Sequence, residues 1–303
     1  MKNEWYEVNK VIKTIATDMD GTLLNKVQKV SKENKDAIEA AQRQGIEVIV
    51  ATGRSYEEAR IALDEAKLDL PIIAANGAAV YTQDGQIVAS NPMSSEVGLE
   101  MVELLEKENL YFEVYTSNGV YSKNYEASVA VLVDIILTAN PDLDPLKVTA
   151  RAHERLKMGL VNTITDYREL FTMPSVVIHK MLVFSNDLTA LGQVAGKIKR
   201  IKGLAVSSSG RENLEISSEA AQKGNALMNY LANKGESMKD AMAIGDNYND
   251  VSMFERVGRS VAMGNAPLEI QRLCHFVTAK NDEHGVAKAI HEVLKEVQAV
   301  NEA

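Results

Sequence analysis

Apolar runs of strand length alternate with amphipathic stretches in the first and last thirds of the chain, and the middle breaks that rhythm. Residues 13–17, 46–51 and 71–75 are short apolar runs, each followed by polar residues. Between them, Ser31 is placed to cap a helix that reaches about residue 44 and stops at Gly45, and residues 56–67 read as a second helix. Strands separated by helices of this length predict a parallel, doubly wound sheet. The last third returns to the pattern. It predicts a helix over 221–233, a strand over 241–244, a helix starting near Asn249, a strand over 260–263 and a closing helix over 285–297.

In the middle, a predicted helix over 95–107 leads to a strand over 111–116, and Asn118-Gly119 turns the chain into 120–123, which is a hairpin signal. Strands over 181–185 and 204–208 flank a helix over 188–199, and 213–217 adds one more. Hairpins mixed with helices predict an α+β module. The expected architecture is therefore α/β. A doubly wound core from residues 1–84 and 217–303 carries an inserted α+β module over 85–216. No internal repeat or low-complexity segment interrupts it.

With 303 residues and 46% hydrophobic composition, the chain can bury a sizeable core in one or two domains. No apolar run reaches the roughly 18 residues of a membrane helix; the longest candidate, 129–137, is short and interrupted by Asp134. The polar N-terminus lacks the apolar core of a signal peptide. The single Cys274 excludes an internal disulfide framework, so a cytoplasmic setting is expected. The net charge of −9 argues against nucleic acid as main partner and leaves small anionic substrates open. Neither composition nor pattern fixes an oligomeric state.

Four polar clusters fall at predicted strand ends of the core, where open α/β sheets bind ligands. The first is Asp18-Met19-Asp20-Gly21-Thr22. If the strand continues, its two carboxylates project to one side, where they repel unless a cation joins them. A hard divalent metal, Mg²⁺, suits oxygen ligands. With it, one aspartate serves as nucleophile and the other handles protons. The second cluster, Thr52-Gly53-Arg54, offers a hydroxyl and backbone N–H groups for phosphate oxygens. The third is Lys223 near a helix start, and the fourth is Gly245-Asp246-Asn247-Tyr248-Asn249-Asp250. Each alone reads equally as a turn, a helix cap or a solvated side chain. Their joint order, each near an apolar strand, points to one site.

On these residues, together with Asn76-Gly77-Ala78, Lys223-Gly224 and Val261-Ala262-Met263-Gly264-Asn265-Ala266, the chain resembles the haloacid dehalogenase superfamily of aspartyl-phosphate phosphatases, in its Cof-type branch with a large α/β cap. The resemblance covers nearly the whole chain except about residues 1–10. It implies a phosphatase of small phosphorylated metabolites with Asp18 as nucleophile and Asp20 as acid and base. It implies Mg²⁺ held by Asp18, the Asp20 backbone carbonyl and Asp246. Asp20 is expected to stay protonated because a neighbouring carboxylate raises it. Thr52 and Lys223 are implied to hold phosphoryl oxygens. Asp250 would orient either Lys223 or metal-bound water, and Asn249 would reach either the metal or the phosphoryl group. Gly53 lines the same loop. Arg54 reads either as a substrate contact or as a salt-bridge partner, and Asn76 either as a pocket residue or as a plain turn. The alternatives to hydrolysis are a phosphomutase-like transfer and a non-catalytic phospho-ligand-binding protein. The five histidines lack metal-ligand spacing, and Cys274 reads as a core residue.

Overall fold

The computed structural model of the chain describes residues 12–124, 126–127, 129–130, 133–134, 137, 142–208 and 212–301. Residues 1–10 and several of 129–137 lie outside them. The chain begins with β1 (Thr14–Thr17), α1 (Lys32–Arg43), β2 (Glu47–Ala51), α2 (Tyr56–Ala66) and β3 (Ile72–Ala74), followed by an antiparallel hairpin, β4 (Ala79–Tyr81) and β5 (Ile87–Ser90). Ser31 caps α1 by accepting from Asn34 N–H, and Ser55 caps α2 in a reciprocal box with Glu58.

The middle of the chain builds a second sheet. Its elements are α3 (Ser95–Lys107), β6 (Tyr111–Thr116), β7 (Gly119–Ser122), α4 (Pro145–Lys157), β8 (Val161–Thr163), β9 (Ile178–Phe184), α5 (Leu188–Ile198), β10 (Leu204–Ser207) and β11 (Asn213–Ser218). The chain then returns through α6 (Lys223–Asn233), β12 (Ala241–Gly245), α7 (Val251–Phe254), β13 (Arg259–Ala262), α8 (Leu268–Leu273), β14 (Phe276–Val277) and α9 (Gly285–Asn301).

The first sheet has the order β14-β13-β12-β1-β2-β3-β4-β5, parallel except for the β4–β5 edge. Alternate strand residues enter opposite cores. Ile15, Val48, Val50 and Ile244 pack with Ile38, Leu63 and Ile290 on one face. Ala16, Ile49, Ala51 and Ala243 pack with Leu227, Phe254 and Ile270 on the other. Both faces are covered, as a doubly wound sheet requires. Chain order reverses at β1, so the carboxyl ends of β1, β2 and β12 surround the switch point.

The second sheet has the order β10-β11-β9-β6-β7-β8 and is antiparallel except for β7–β8. One of its faces is apolar: Phe112, Val114, Met181, Val183 and Ile216 pack with Met101, Leu105, Leu191 and Val194 of α3 and α5. The other face carries buried polar groups, among them Glu113, Lys180, Glu215 and Ser217.

Most expected elements appear with ends shifted by a few residues. The β4–β5 hairpin, α4, β8, α8 and β14 were not expected. β5 lies largely exposed at the sheet edge, with Ile87 and Val88 open to solvent, so it shows no alternation to read. β9 starts at Ile178 rather than 181, because His179 and Lys180 are buried polar strand residues that break the apolar run. The hairpin turn is Ser117-Asn118, and Gly119 (φ 102°) already pairs with Thr116. The expected boundaries 84/85 and 216/217 fall inside the β4–β5 hairpin and inside β11. The chain passes between the sheets after Ser90 and after Ser218 instead.

Candidate active site

The site grows from the end of β1. Asp18 N–H donates to Ile244 O at 2.8 Å, which holds the strand end against β12. Met19 turns into the core, and Asp18 and Asp20 turn away from it. Gly21 (φ 74°) makes the sharp turn that follows; a Cβ there would lie 2.5 Å from Asp246 Oδ2, so glycine is required twice over. Thr22 Oγ1 donates to Asp246 Oδ1 at 2.9 Å, tying the loop after β1 to the loop after β12.

Lys223, the first residue of α6, is fully buried beneath these loops. Its Nζ donates to Asp18 Oδ1 at 2.6 Å and to Asp250 Oδ1 at 2.7 Å. The other oxygen of Asp250 accepts the backbone N–H groups of Asp246 (3.0 Å) and Asn247 (3.1 Å). Asp250 thus orients Lys223 and shapes the β12 loop. It does so from the end of a short 3₁₀ turn.

Carboxylate oxygens of Asp18, Asp246 and Asp250 lie within 4.8 Å of one another. Burial pushes the Asp18 carboxyl up to about 7 against the pull of Lys223, and the charge of Asp250 adds to the rise. Burial also raises Asp246 well above the usual carboxylate range, with Asp18 and Asp250 pushing the same way. Burial works against the Lys223 ammonium, but Asp18 and Asp250 overcome it and hold the group charged. The cluster has three acids to one buried ammonium and an all-oxygen donor set. Oδ2 of Asp18 and Oδ2 of Asp246 have no hydrogen bond among the described residues. These residues fit a hard divalent cation.

Asp20 stands apart from that cluster. Its carboxylate receives both Arg54 Nε (2.8 Å) and Arg54 Nη2 (2.5 Å), and Arg54 also donates to Gln28. The surrounding protein pushes the Asp20 carboxyl up, but the Arg54 guanidinium outweighs this by charge and hydrogen bonds and holds it below the usual range. The expectation of an Asp20 kept protonated by a neighbouring carboxylate is therefore corrected: its nearest charge is positive. Of the two readings of Arg54, the ion pair is the one seen in this state.

Thr52 is buried at the end of β2, and its Oγ1 accepts Arg54 N–H at 3.1 Å. Ala75, Asn76 and Gly77 form a left-handed turn after β3, with φ of 48°, 58° and 99°. Such strain in non-glycine residues needs a reason. Here Ala75 N–H donates to Arg54 O (2.8 Å) and Asn76 N–H to Thr52 O (2.9 Å), locking the turn onto the Thr52 loop. The Asn76 side chain donates to Glu215 Oε2 of the second sheet and accepts from Asn249 Nδ2 at 3.2 Å. Gly53 lies beside it, where an added Cβ would be 3.3 Å from Asn76 Oδ1. Asn249 Oδ1 is buried without a hydrogen-bond partner among the described residues. Neither the pocket nor the plain-turn reading of Asn76 captured this link between the sheets. The residues that sequence reasoning missed are Lys180 and Glu215. Their signal was a charge inside a strand: Lys180 follows His179 in β9, and Glu215 alternates with Leu214 and Ile216 in β11.

The remaining candidates stay outside the site. Cys274 is half-buried, and burial pushes its thiol up to about 11, so it is no ready nucleophile. His179 is buried in β9, and burial lowers it to about 4.

Comparison with known proteins defines the class. The family of haloacid dehalogenase-like hydrolases matches residues 15–290, and the chain belongs to it. A 5-amino-6-(5-phospho-D-ribitylamino)uracil phosphatase of Bacillus subtilis is 38% identical over 284 residues, covering 93% of this chain and 98% of the relative. A pyridoxal phosphate phosphatase of Escherichia coli is 25% identical over 285 residues, covering 93% and 98%. Among solved structures, a haloacid dehalogenase-like hydrolase from B. subtilis superposes with a TM-score of 0.86 at 33% identity, covering 92% of this chain and 99% of that one. The chain is a phosphatase of this family, acting on phosphorylated metabolites. None of its described helices is long and apolar enough to cross a membrane.

Proposed function

We propose that the chain hydrolyses small phosphate monoesters in two steps through an aspartyl phosphate on Asp18, with Mg²⁺ as cofactor. The observation that carries this reading is the buried Lys223–Asp18 contact of 2.6 Å at the end of the central strand, beside Asp246. A divalent ion held by the carboxylates of Asp18 and Asp246 and the backbone carbonyl of Asp20 would neutralise repulsion between the nucleophile and the phosphoryl oxygens.

The chain's own residues do the rest. Lys223 keeps Asp18 oriented, and with the Thr52 hydroxyl and Gly53 N–H it holds phosphoryl oxygens as charge develops. An Asp18 oxygen attacks phosphorus. The bond to the ester oxygen breaks, and its electron pair leaves with that oxygen, which takes a proton from Asp20. Water then attacks the aspartyl phosphate, Asp20 accepts its proton, and phosphate departs from a regenerated Asp18. At rest Arg54 holds Asp20 ionised. An incoming phosphoryl dianion competes for that guanidinium and pushes the carboxyl up, which loads the proton. Asn249, beside Asn76, borders the phosphoryl pocket. The module between Ser90 and Glu219 acts as a cap that limits bulk water. The setting is cytoplasmic, in keeping with a single free thiol and no disulfide framework.

The test is phosphate release over a panel of phosphorylated metabolites with Mg²⁺ or with chelator, using Asp18→Asn as the blank. Release that needs Mg²⁺ and Asp18 supports the mechanism. Release that persists in the variant, or is indifferent to chelator, overturns it.

A further inference from the structure

Three asparagine side chains from distant parts of the chain grip carbonyls of the turn that follows Asp18 and Asp20. Asn265, between β13 and α8, donates from Nδ2 to Gly21 O at 2.8 Å. Asn34 of α1 donates to Leu23 O at 3.1 Å, and Asn281, between β14 and α9, donates to Leu24 O at 2.9 Å. Two of these amides are also held at their oxygen. Asn265 Oδ1 accepts Asn281 N–H at 3.0 Å, and Asn34 Oδ1 accepts Ala287 N–H at 3.0 Å. Asp282 adds a fourth grip by accepting Lys26 N–H at 2.9 Å.

The grips differ in kind. Asn34 and Asn281 are buried, where a carbonyl left alone is costly, so their bonds belong to the fold. Asn265 is exposed, and water could serve Gly21 O in its place. Its bond therefore adds little stability. What it adds is geometry. Gly21 (φ 74°, ψ −1°) has no side chain to hold it, and glycine moves through its dihedral space at little cost. The Asp20 carbonyl sits on the peptide plane before the Gly21 Cα, and Gly21 O on the plane after it, so only the Gly21 dihedrals relate the two. One residue further on, Thr22 is bonded to Asp246. Holding Gly21 O thus limits how far the Asp20 carbonyl can swing.

We propose that Asn265 is a positioning residue of the cation site: it fixes the Gly21 peptide, with Asn281 bracing it from behind, and so preorganises the Asp20 carbonyl for the ion. This rests on the cation site proposed above, and it gives the Val261–Ala266 stretch a use. A loose donor must be ordered when the ion arrives, and that cost is subtracted from affinity. Outer groups that orient metal donors typically change affinity by about tenfold to a hundredfold. The nucleophile does not depend on this bond, because Asp18 is held by Lys223 and by Ile244 O. Loss of Asn265 is therefore read in cation binding and not in kcat at saturating cation.

The experiment measures Mg²⁺ binding by calorimetry, without substrate, on the chelator-stripped full chain, on Asn265→Ala and on Asp187→Ala. Asp187 caps α5, on the other sheet's module, by accepting the N–H groups of Thr189 and Ala190, so its loss costs stability without touching the turn after β1. Thermal melts of the metal-free proteins accompany each, and kcat is measured at saturating Mg²⁺. The expected result for Asn265→Ala is a Kd about tenfold weaker, a kcat within about threefold of wild type and a melt no lower than that of Asp187→Ala. Asp187→Ala should bind Mg²⁺ as wild type does. An unchanged Kd in Asn265→Ala overturns the assignment, as does a Kd weakened equally in Asp187→Ala. A wild-type chain that takes up no Mg²⁺, or takes it up no better than Asp246→Ala, overturns the cation site on which the assignment rests.

Discussion

The two sheets bury charge in opposite ways. At the end of β1, three carboxylates surround one ammonium, and the acids Asp18 and Asp246 are driven up because the cluster is short of positive charge. On the second sheet, Lys180 pairs with Glu215, and Glu113 is buried on the same face. The first arrangement costs stability as it stands, and its crowded oxygen donors suit a cation. In the second, the ammonium has its own carboxylate at 2.9 Å. The contrast is between acids crowded around one shared ammonium and an ammonium with a carboxylate of its own.

The largest expected effect sharpens the first half of that contrast. Asp18→Asn should cut turnover by more than about a thousandfold, because an amide cannot attack phosphorus. The apo protein should melt no lower than wild type, because one of the crowded acids is gone. Turnover near wild type in the purified variant would remove Asp18 as nucleophile.

Lys223→Met comes next and should act on the fold. It strips the partner shared by Asp18 and Asp250 and leaves buried carboxylates without a cation. The expected loss is about 3–5 kcal/mol by denaturant titration, the usual cost of breaking a buried pair from one side. Enough Mg²⁺ should restore part of it, through preferential binding to the native state. A loss of less than about 1 kcal/mol, or one that Mg²⁺ does not reduce, would show that Lys223 does not hold the acid cluster as argued.

Arg54→Ala should have a smaller effect, on activity. Arg54 lowers Asp20, so its removal lets that carboxyl rise. If Asp20 must give a proton, the alkaline limb of the kcat profile moves to higher pH. Loss of orientation should still lower kcat by about tenfold to a hundredfold. An unmoved limb would argue that Asp20 is not the proton donor.

How far the sequence reached differs between the regions for the same physical reason. In the core, most of the proposed site residues follow an apolar strand directly, so position along the chain predicts position in space. Asp18, Thr52 and Asp246 could be read that way, as could Lys223 by its place near a helix start. What could not be read is which charge meets which. The partners of Lys223 are 205 and 27 residues away, and nothing local tells that Arg54 instead of a carboxylate governs Asp20. On the second sheet, even the elements blurred. A buried polar face looks like a loop in a hydropathy pattern, which is why β9 was expected three residues late and Lys180 was passed over. The left-handed turn at Ala75-Asn76-Gly77 is legible only as a turn; its bond to Glu215 spans 139 residues.

The smallest effect tests the contrast through pH. His179 of β9 is buried, and burial lowers it to about 4 from an ordinary value of 6.5. The unfolded chain therefore binds a proton between these values that the folded sheet refuses. The stability from keeping it neutral is full above 6.5 and is lost as pH falls toward 4, the loss reaching about 2 kcal/mol by pH 5. Asp18 runs the other way. Its carboxyl is raised to about 7 from 3.8, so the folded site binds a proton that the unfolded chain does not, and acidification between these values relieves the cluster. Hydrogen exchange of the metal-free protein, read strand by strand at pH 7 and pH 5, should show β9 losing protection while β1 and β12 hold or gain it. His179→Gln should abolish the loss in β9 and leave β1 unchanged. If both sheets weaken together on acidification, the two regions are not electrostatically opposed.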